Sequence, residues 1–177
     1  MDYKDFDIHL LSSNDNVDSF NCGNEDLNEF IQNDAVNYFD QKLAYNYVMQ
    51  KADQTIAYFS LANDRIAIDD FESKTHFNRF RRRHFVNSKR IKTYPAAKLC
   101  RFAVDSKYRG KRIGSSLLNM IKFTLSKESQ TACRFLIVDA YREAFAFYIK
   151  NGFTPLRECD QIEGPTIPMY FDLFDIS

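Results

Sequence analysis

Apolar and polar positions alternate over residues 6–11 (FDIHLL), a period of two that predicts a first strand. From Asn24 the period lengthens. Leu27, Phe30, Ile31, Ala35 and Tyr38 or Phe39 fall on one helical face, predicting an amphipathic helix over 24–39. Asn24 suits the N-cap, and Glu25 and Asp26 sit in the first turn, where the helix dipole favours acids. Two runs rich in β-formers follow, 44–50 (AYNYVMQ) and 55–63 (TIAYFSLAN); the short KADQ between them predicts an antiparallel hairpin. DRIAIDDF either extends the second of these strands or follows it. Residues 72–94 are polar and basic with weak periodicity, which reads as a loop or short helix. After Pro95 comes the apolar strand AAKLCRFAV. Ile113, Leu117, Leu118, Ile121 and Leu125 then recur at helical spacing. CRFLIVDA (133–140) reads as a buried strand, and REAFAFYIKN as a short helix closed by Gly152. FTPLREC and TIPMYFDLF end the chain as two more strands. The series β-α-β-β, then β-α-β-α-β-β, with no internal repeat or linker, predicts a mixed α/β sheet in one domain spanning 1–177.

Composition narrows the class. A chain of 177 residues with 45% hydrophobic content buries a substantial core and is not a disordered polymer. The apolar runs fall well short of the roughly 20 residues of a membrane helix, and the acidic start MDYKDFDIHLL is unlike a secretory signal. The expectation is a soluble, cytoplasmic protein with no membrane contact. Cys22, Cys100, Cys133 and Cys159 form no C-x-x-C pair, and His9, His76 and His84 are scattered, so no metal site is expected. The net charge is zero but unevenly spread: residues 1–78 hold 5 basic and 15 acidic side chains, whereas 79–92 (RFRRRHFVNSKRIK) hold seven basic and none acidic. Such asymmetry points to an anionic partner near the middle of the chain.

The chemistry concentrates in YRGKRIGSSLL (108–118), which carries two of the five glycines between a strand and a helix. A strand, a tight loop and a helix N-terminus aim several backbone N–H groups at one spot, where an anion is favoured. Gly110 and Gly114 permit unusual backbone angles and close approach, and Arg109, Lys111 and Arg112 add positive charge. Neither G-x-x-x-x-G-K-[ST] nor G-x-G-x-x-G is met. The segment therefore reads as a phosphate cradle of another kind, the plain alternative being an ordinary basic strand-to-helix turn.

RFAVDSKYRGKRIGSSLL resembles the acetyl-CoA-binding segment of the GNAT family of N-acetyltransferases, whose pattern R/Q-x-x-G-x-G/A follows a strand and opens a helix. Arg109 and Gly114 match, while Arg112 holds the middle glycine position. VDAYREAFAFYIKNGFTPL (138–156) resembles the same family's later strand and its helix ending F-Y-x-x-x-G-F, with Phe147, Tyr148, Gly152 and Phe153 at that spacing; Tyr141 stands near where the family often has an asparagine. FNCGNEDLNEFI, YFSLAN and YPAAKLCRFAVD look like the acetyltransferase toxins that modify the amino group of aminoacyl-tRNA. The resemblance implies a mostly antiparallel sheet with a central parallel splay and flanking helices. It places acetyl-CoA in that splay, with Phe102, Ala103 and Val104 beside the pantetheine arm. Arg109, Gly110, Lys111, Arg112, Ile113, Gly114 and Ser115 would hold the pyrophosphate, and Tyr148 would lie near the departing sulfur. It implies a primary-amine acceptor attacking the thioester directly, with an aminoacyl-tRNA as the preferred specific acceptor and a small-molecule or protein amine left open; an antitoxin partner and a homodimer also stay open. A non-catalytic acyl-CoA-binding or nucleic-acid-binding module on the same fold is the alternative.

A phenol with pKa about 10 is a weaker acid than a thiol near 8.5, so full proton transfer from Tyr148 would be uphill by about 2 kcal/mol. With the resemblance its expected role is a hydrogen-bond donor to developing thiolate charge; on residue pattern alone a core aromatic on a Phe-rich helix is the favoured reading. The strand 95–104 holds no Asp or Glu, and Asp105 at its end reads as a base or as a loop cap. The lack of an obvious carboxylate base favours a low-pKa amine such as an α-amine, near 8, over lysine, near 10.4. The run 79–92 either contacts RNA phosphates through Arg81, Arg82, Arg83, Lys89 and Arg90, with Phe80 and Phe85 stacking on bases, or is a solvated loop that balances the acidic N-terminal half.

Overall fold

The computed structural model describes residues 6–85, 91–128, 131–158 and 163–176. Its strands are β1 (Asp7–Leu10), β2 (Tyr45–Lys51), β3 (Gln54–Ala67), β4 (Thr93–Val104), β5 (Phe135–Tyr141), β6 (Thr154–Pro155) and β7 (Thr166–Asp172). Its helices are α1 (Glu25–Glu29), α2 (Ala35–Asp40), α3 (Lys74–His84), α4 (Ile113–Lys127) and α5 (Phe145–Lys150). The strands form one seven-stranded sheet in the order β1-β2-β3-β4-β5-β7-β6. It is antiparallel apart from β4 and β5. Those two pair in parallel only through Ala96, Ala97 and Lys98 with Phe135, Leu136 and Ile137, while β4 runs on to Val104 and β5 to Tyr141. The mixed, mostly antiparallel sheet read from the sequence is therefore present. By internal contacts the chain groups into two compact units, Met1–Ala62 with Leu99–Asn119, and Asn63–Lys98 with Met120–Ser177.

In the first unit the predicted helix forms with Asn24 as its N-cap, its side chain accepting the Leu27 N–H at 3.1 Å. The helix passes through a π-turn, Phe30–Asp34, between α1 and α2. Buried polar side chains from the strands reach backbone carbonyls along it: Tyr58 donates to Leu27 at 2.7 Å and Asn46 donates to Ala35. Leu27, Phe30, Ile31 and Ala35 pack with Phe20, Val48, Tyr58 and Ala103, while Tyr38 stays exposed. The predicted hairpin is β2–β3, with Ala52 and Asp53 both at positive φ in its turn.

In the second unit Phe77 and Phe80 of α3 pack with Ile66, Tyr94, Ala96, Phe135 and Tyr170. DRIAIDDF divides: β3 continues to Ala67 and a 3-10 turn follows at Ile68–Asp70. The expected strand FTPLREC shortens to Thr154–Pro155, where a proline in a ladder lacks an N–H to donate; Cys159 lies outside the described residues. Among the described residues no helix is long and apolar enough to cross a membrane, and no three His, Cys, Asp or Glu side chains group as a metal site would need.

Candidate functional site

The glycine loop is stitched to the NCGN turn that precedes α1. Asp105 is 1% exposed; its carboxylate accepts the Asn21 N–H at 3.1 Å and the Lys107 N–H at 2.9 Å, so it is tied up as a loop cap. Ser106 N–H donates to Asn21 O at 2.9 Å, and the Arg109 guanidinium donates to Cys22 O. Two sequence segments more than eighty residues apart are thus joined by hydrogen bonds. The Arg109 side chain braces that turn, which the motif alone did not reveal.

Beyond Arg109 the backbone turns left-handed twice, at Gly110 (φ +77°) and at Arg112 (φ +61°). Arg112 stands where the related motif has glycine and adopts a glycine-like angle, which costs an L-residue roughly 1–2 kcal/mol. A Cβ added at Gly110 would meet nothing within 4 Å, so the space beside it is open. Lys111 lies over the Tyr108 ring at 4.7 Å. The Arg112 carbonyl accepts the Ser116 N–H at 3.1 Å, the first bond of α4. The amides of Ile113, Gly114 and Ser115 precede that bond and have no acceptor within the helix. Gly114 has no side chain to obstruct approach to them. Phe102, Ala103 and Val104 lie past the last β4–β5 pair, Lys98 with Ile137. Residues 102–104 and 109–115 all belong to the first unit.

Tyr148 belongs to the second unit, on α5. The spacing around it has a local cause. Gly152 (φ +81°) donates to Ile149 O at 2.9 Å, and Phe153 N–H donates to Tyr148 O at 3.0 Å. These are the two bonds of a Schellman motif, which needs a left-handed residue after the helix and an apolar contact across the turn. The contact is Tyr148 with Phe153, edge to face at 5.3 Å. The F-Y-x-x-x-G-F pattern is therefore the signature of a helix end that fixes a tyrosine. Tyr148 is 5% exposed, and burial pushes its hydroxyl pKa far above the ordinary phenol value, so it stays protonated. Among the described residues its hydroxyl has no hydrogen-bond partner.

The sequence reading missed Lys122, buried on α4. It donates to Asn151 O and lies over the rings of Phe171, at 4.0 Å, and Phe153, at 5.1 Å. Burial lowers its pKa to about 8. Its position four residues after buried Leu118, beside the apolar stripe, was the available signal.

The basic run divides. Residues 79–84 form the last turns of α3, residues 86–90 (with Lys89 and Arg90) lie outside the described residues, and Ile91 and Lys92 lead into β4. Arg79, Arg82 and Arg83 are exposed at helical spacing on one face, and Arg81 is half-buried. The phenylalanines anchor the helix and do not present faces to solvent: Phe80 is buried against Phe135 and Tyr170, and Phe85 stacks on Tyr94 at 4.3 Å. His84 secures the helix end, bonded to Asp172 at 2.8 Å and Tyr170 at 3.1 Å; Arg134 bonds the same carboxylate at 2.7 Å.

Comparison with known proteins places this geometry. Residues 74–155 match the family model described as an acetyltransferase (GNAT) domain. Among curated proteins no relative matches the sequence. Solved structures do match: a tyrosine-to-phenylalanine mutant of KacT at 20% identity and TM-score 0.77, covering 97% of both chains. AtaT complexed with acetyl-methionyl-tRNAfMet matches at 22% and 0.77, covering 97% of both chains. AtaTR bound with AcCoA matches at 22% and 0.76, covering 98% of this chain and 96% of that one. At these identities the likeness establishes the fold.

Proposed function

We propose that this chain, whose residues 74–155 match a GNAT acetyltransferase domain, is an acetyl-CoA-dependent N-acetyltransferase and that its amine acceptor is the α-amino group of an aminoacyl-tRNA. In this reading residues 1–177 work as one N-acetyltransferase domain. The open amides of Ile113, Gly114 and Ser115, with the positive charge of Lys111 and Arg112, take the pyrophosphate. They suit an anion because the helix leaves exactly those donors unfilled and the space beside Gly110 is open. Arg109 contributes by bracing the loop on Cys22. The backbone of Phe102, Ala103 and Val104 runs beside the pantetheine arm.

Acetyl-CoA supplies the activated acetyl group as a thioester. The amine nitrogen attacks its carbonyl carbon, the C–N bond forms, and the C–S bond breaks. The sulfur leaves with the electron pair and is protonated, while the amine loses a proton to water. The Tyr148 hydroxyl, protonated and without an acceptor among the described residues, donates to that sulfur as charge develops. Asp105 is committed to backbone amides and is not free to act as a strong base. That favours an amine with a useful neutral fraction at pH 7, as an α-amine has.

The observation that carries the RNA reading is the exposed arginine face of α3. Arg79, Arg82 and Arg83 point outward and, among the described residues, are not ion-paired to any carboxylate. Structural neighbours described as bound to a charged tRNA and to an antitoxin, AtaR, support a tRNA acceptor and an antitoxin partner for this chain too. The test replaces Arg79, Arg82 and Arg83 by Gln and measures steady-state kinetics with charged tRNA across salt. The KM for tRNA should rise, and the parent's log affinity should fall with log salt at a slope of roughly −2 to −3 for three phosphates. Unchanged KM and no salt dependence would refute the RNA reading.

A further inference from the structure

Lys122 is the only lysine or arginine among the buried described residues, at 4% exposure. A buried ammonium is costly unless its protons find acceptors and its charge finds compensation. Here the compensation comes from a backbone carbonyl and two ring faces, Asn151 O with Phe171 and Phe153. Each of these bears on the end of α5. Asn151 is the C-cap residue, and its carbonyl is one of the acceptors a helix terminus leaves open. Phe153 is the residue whose N–H closes the Schellman motif on Tyr148 O and whose ring meets the Tyr148 ring. Phe171 is the side chain a Cβ at Gly152 would meet, at 3.2 Å, so it bounds the same turn from the β7 side. Lys122 therefore grips both the cap carbonyl and the closing ring of the helix end that bears Tyr148.

We infer that Lys122 is a positioning residue for acetyl transfer, holding the C-terminal end of α5 and through it the Tyr148 hydroxyl. The inference rests on the reading of Tyr148 as donor to the departing sulfur. A grip of this kind acts on turnover and leaves cosubstrate binding alone, since the phosphate cradle is built from other residues. A displaced hydroxyl loses its hydrogen bond in the transition state, and a misplacement near 1 Å is worth on the order of a hundredfold in rate.

The test is Lys122→Met, which keeps an unbranched side chain and removes the charge, with Lys122→Arg as the conservative variant. In Lys122→Met, kcat should fall by about ten- to a hundredfold while KM for acetyl-CoA stays the same. Lys122→Arg should recover most of the loss. In a Tyr148→Phe background, Lys122→Met should cost nothing further. Phe171→Leu, which weakens the cage and keeps the lysine, should lower kcat in the same KM-neutral way and keeps the idea testable if Lys122→Met does not fold. Unchanged turnover in the folded Met variant, or losses that multiply in the double variant, would overturn the inference. A ring carbon NMR signal of Tyr148, assigned by its disappearance in Tyr148→Phe, separates the two readings. If Tyr148→Phe retains full turnover, the donor role of Tyr148 is wrong, yet a Tyr148 signal moved by Lys122→Met still supports the grip. A signal that Lys122→Met leaves in place overturns the grip itself.

Discussion

Gly152 ends α5 at φ +81°, and a methyl group there would come within 3.2 Å of Phe171 Cε2. Gly110 has nearly the same φ, +77°, but a methyl group there meets nothing within 4 Å. The pair Gly152→Ala and Gly110→Ala therefore separates backbone strain from crowding. Left-handed strain costs an L-residue about 1–2 kcal/mol. Loss of glycine's freedom in the unfolded chain returns about 0.4–1 kcal/mol. Gly110→Ala should thus lose between about 0 and about 1.6 kcal/mol, which for a chain of this size is a drop in Tm of at most about 6 °C. Gly152→Ala carries the same strain and adds crowding against a half-buried ring, about 1 kcal/mol at the low end of overpacking costs. Its loss should therefore exceed that of Gly110→Ala by about 1 kcal/mol, reaching about 1–2.6 kcal/mol, or roughly 2–10 °C. The assay is urea unfolding followed by circular dichroism, with calorimetric Tm as a second reading. Equal losses in the two variants, or a larger loss at Gly110, would refute the claim that Phe171 closes the turn around Gly152.

Tyr148→Phe keeps the ring contact with Phe153 and removes only the hydroxyl; loss of a transition-state donor predicts a fall in kcat of about a hundred- to a thousandfold with acetyl-CoA affinity nearly intact. Gly114→Val puts a branched side chain beside the open amides of α4 and should weaken acetyl-CoA binding by calorimetry, with the fold checked by circular dichroism. Lys122 supplies a pH test. Its folded pKa of about 8 lies below the ordinary lysine value, so between about 8 and about 10.4 the unfolded chain holds a proton the folded chain has lost. Stability from this site therefore rises with pH through that window, by at most about 1.4 kcal/mol per unit. The unfolding free energy of the parent relative to Lys122→Met should be higher at pH 9.5 than at pH 7.5; the same difference at both would contradict it.

The parts of the fold legible in the sequence were those with local causes. Asn24 followed by apolar residues at helical spacing marked α1, and Gly152 marked the end of α5, because caps are made by residues a few positions apart. The loop and helix N-terminus proposed as the anion cradle were legible as local structure because a strand, a glycine loop and an apolar helix follow one another. What escaped depended on distant partners. The left-handed angle at Arg112 is not an L-residue's preference, and no sequence pattern announces it. The tie of Arg109 to Cys22 is hidden in the sequence because it spans 87 positions. Phe80 and Phe85, in a run dominated by charge, read equally as stacking groups and as anchors, until Phe135, Tyr170 and Tyr94 were seen against them. Lys122 is hidden in the sequence because a charge beside an apolar stripe ordinarily lies in water.

The central claim is the transfer reaction and its acceptor. Incubation of the protein with acetyl-CoA labelled in the acetyl group, and with charged tRNA, small amines or proteins in separate reactions, tests it directly. The account predicts label on the α-amine of the aminoacyl-tRNA, released with the amino acid on mild base treatment that cleaves the ester, and none on uncharged tRNA. Label on small amines or protein lysines with none on charged tRNA would contradict the acceptor, and label on nothing at all would contradict the transfer itself.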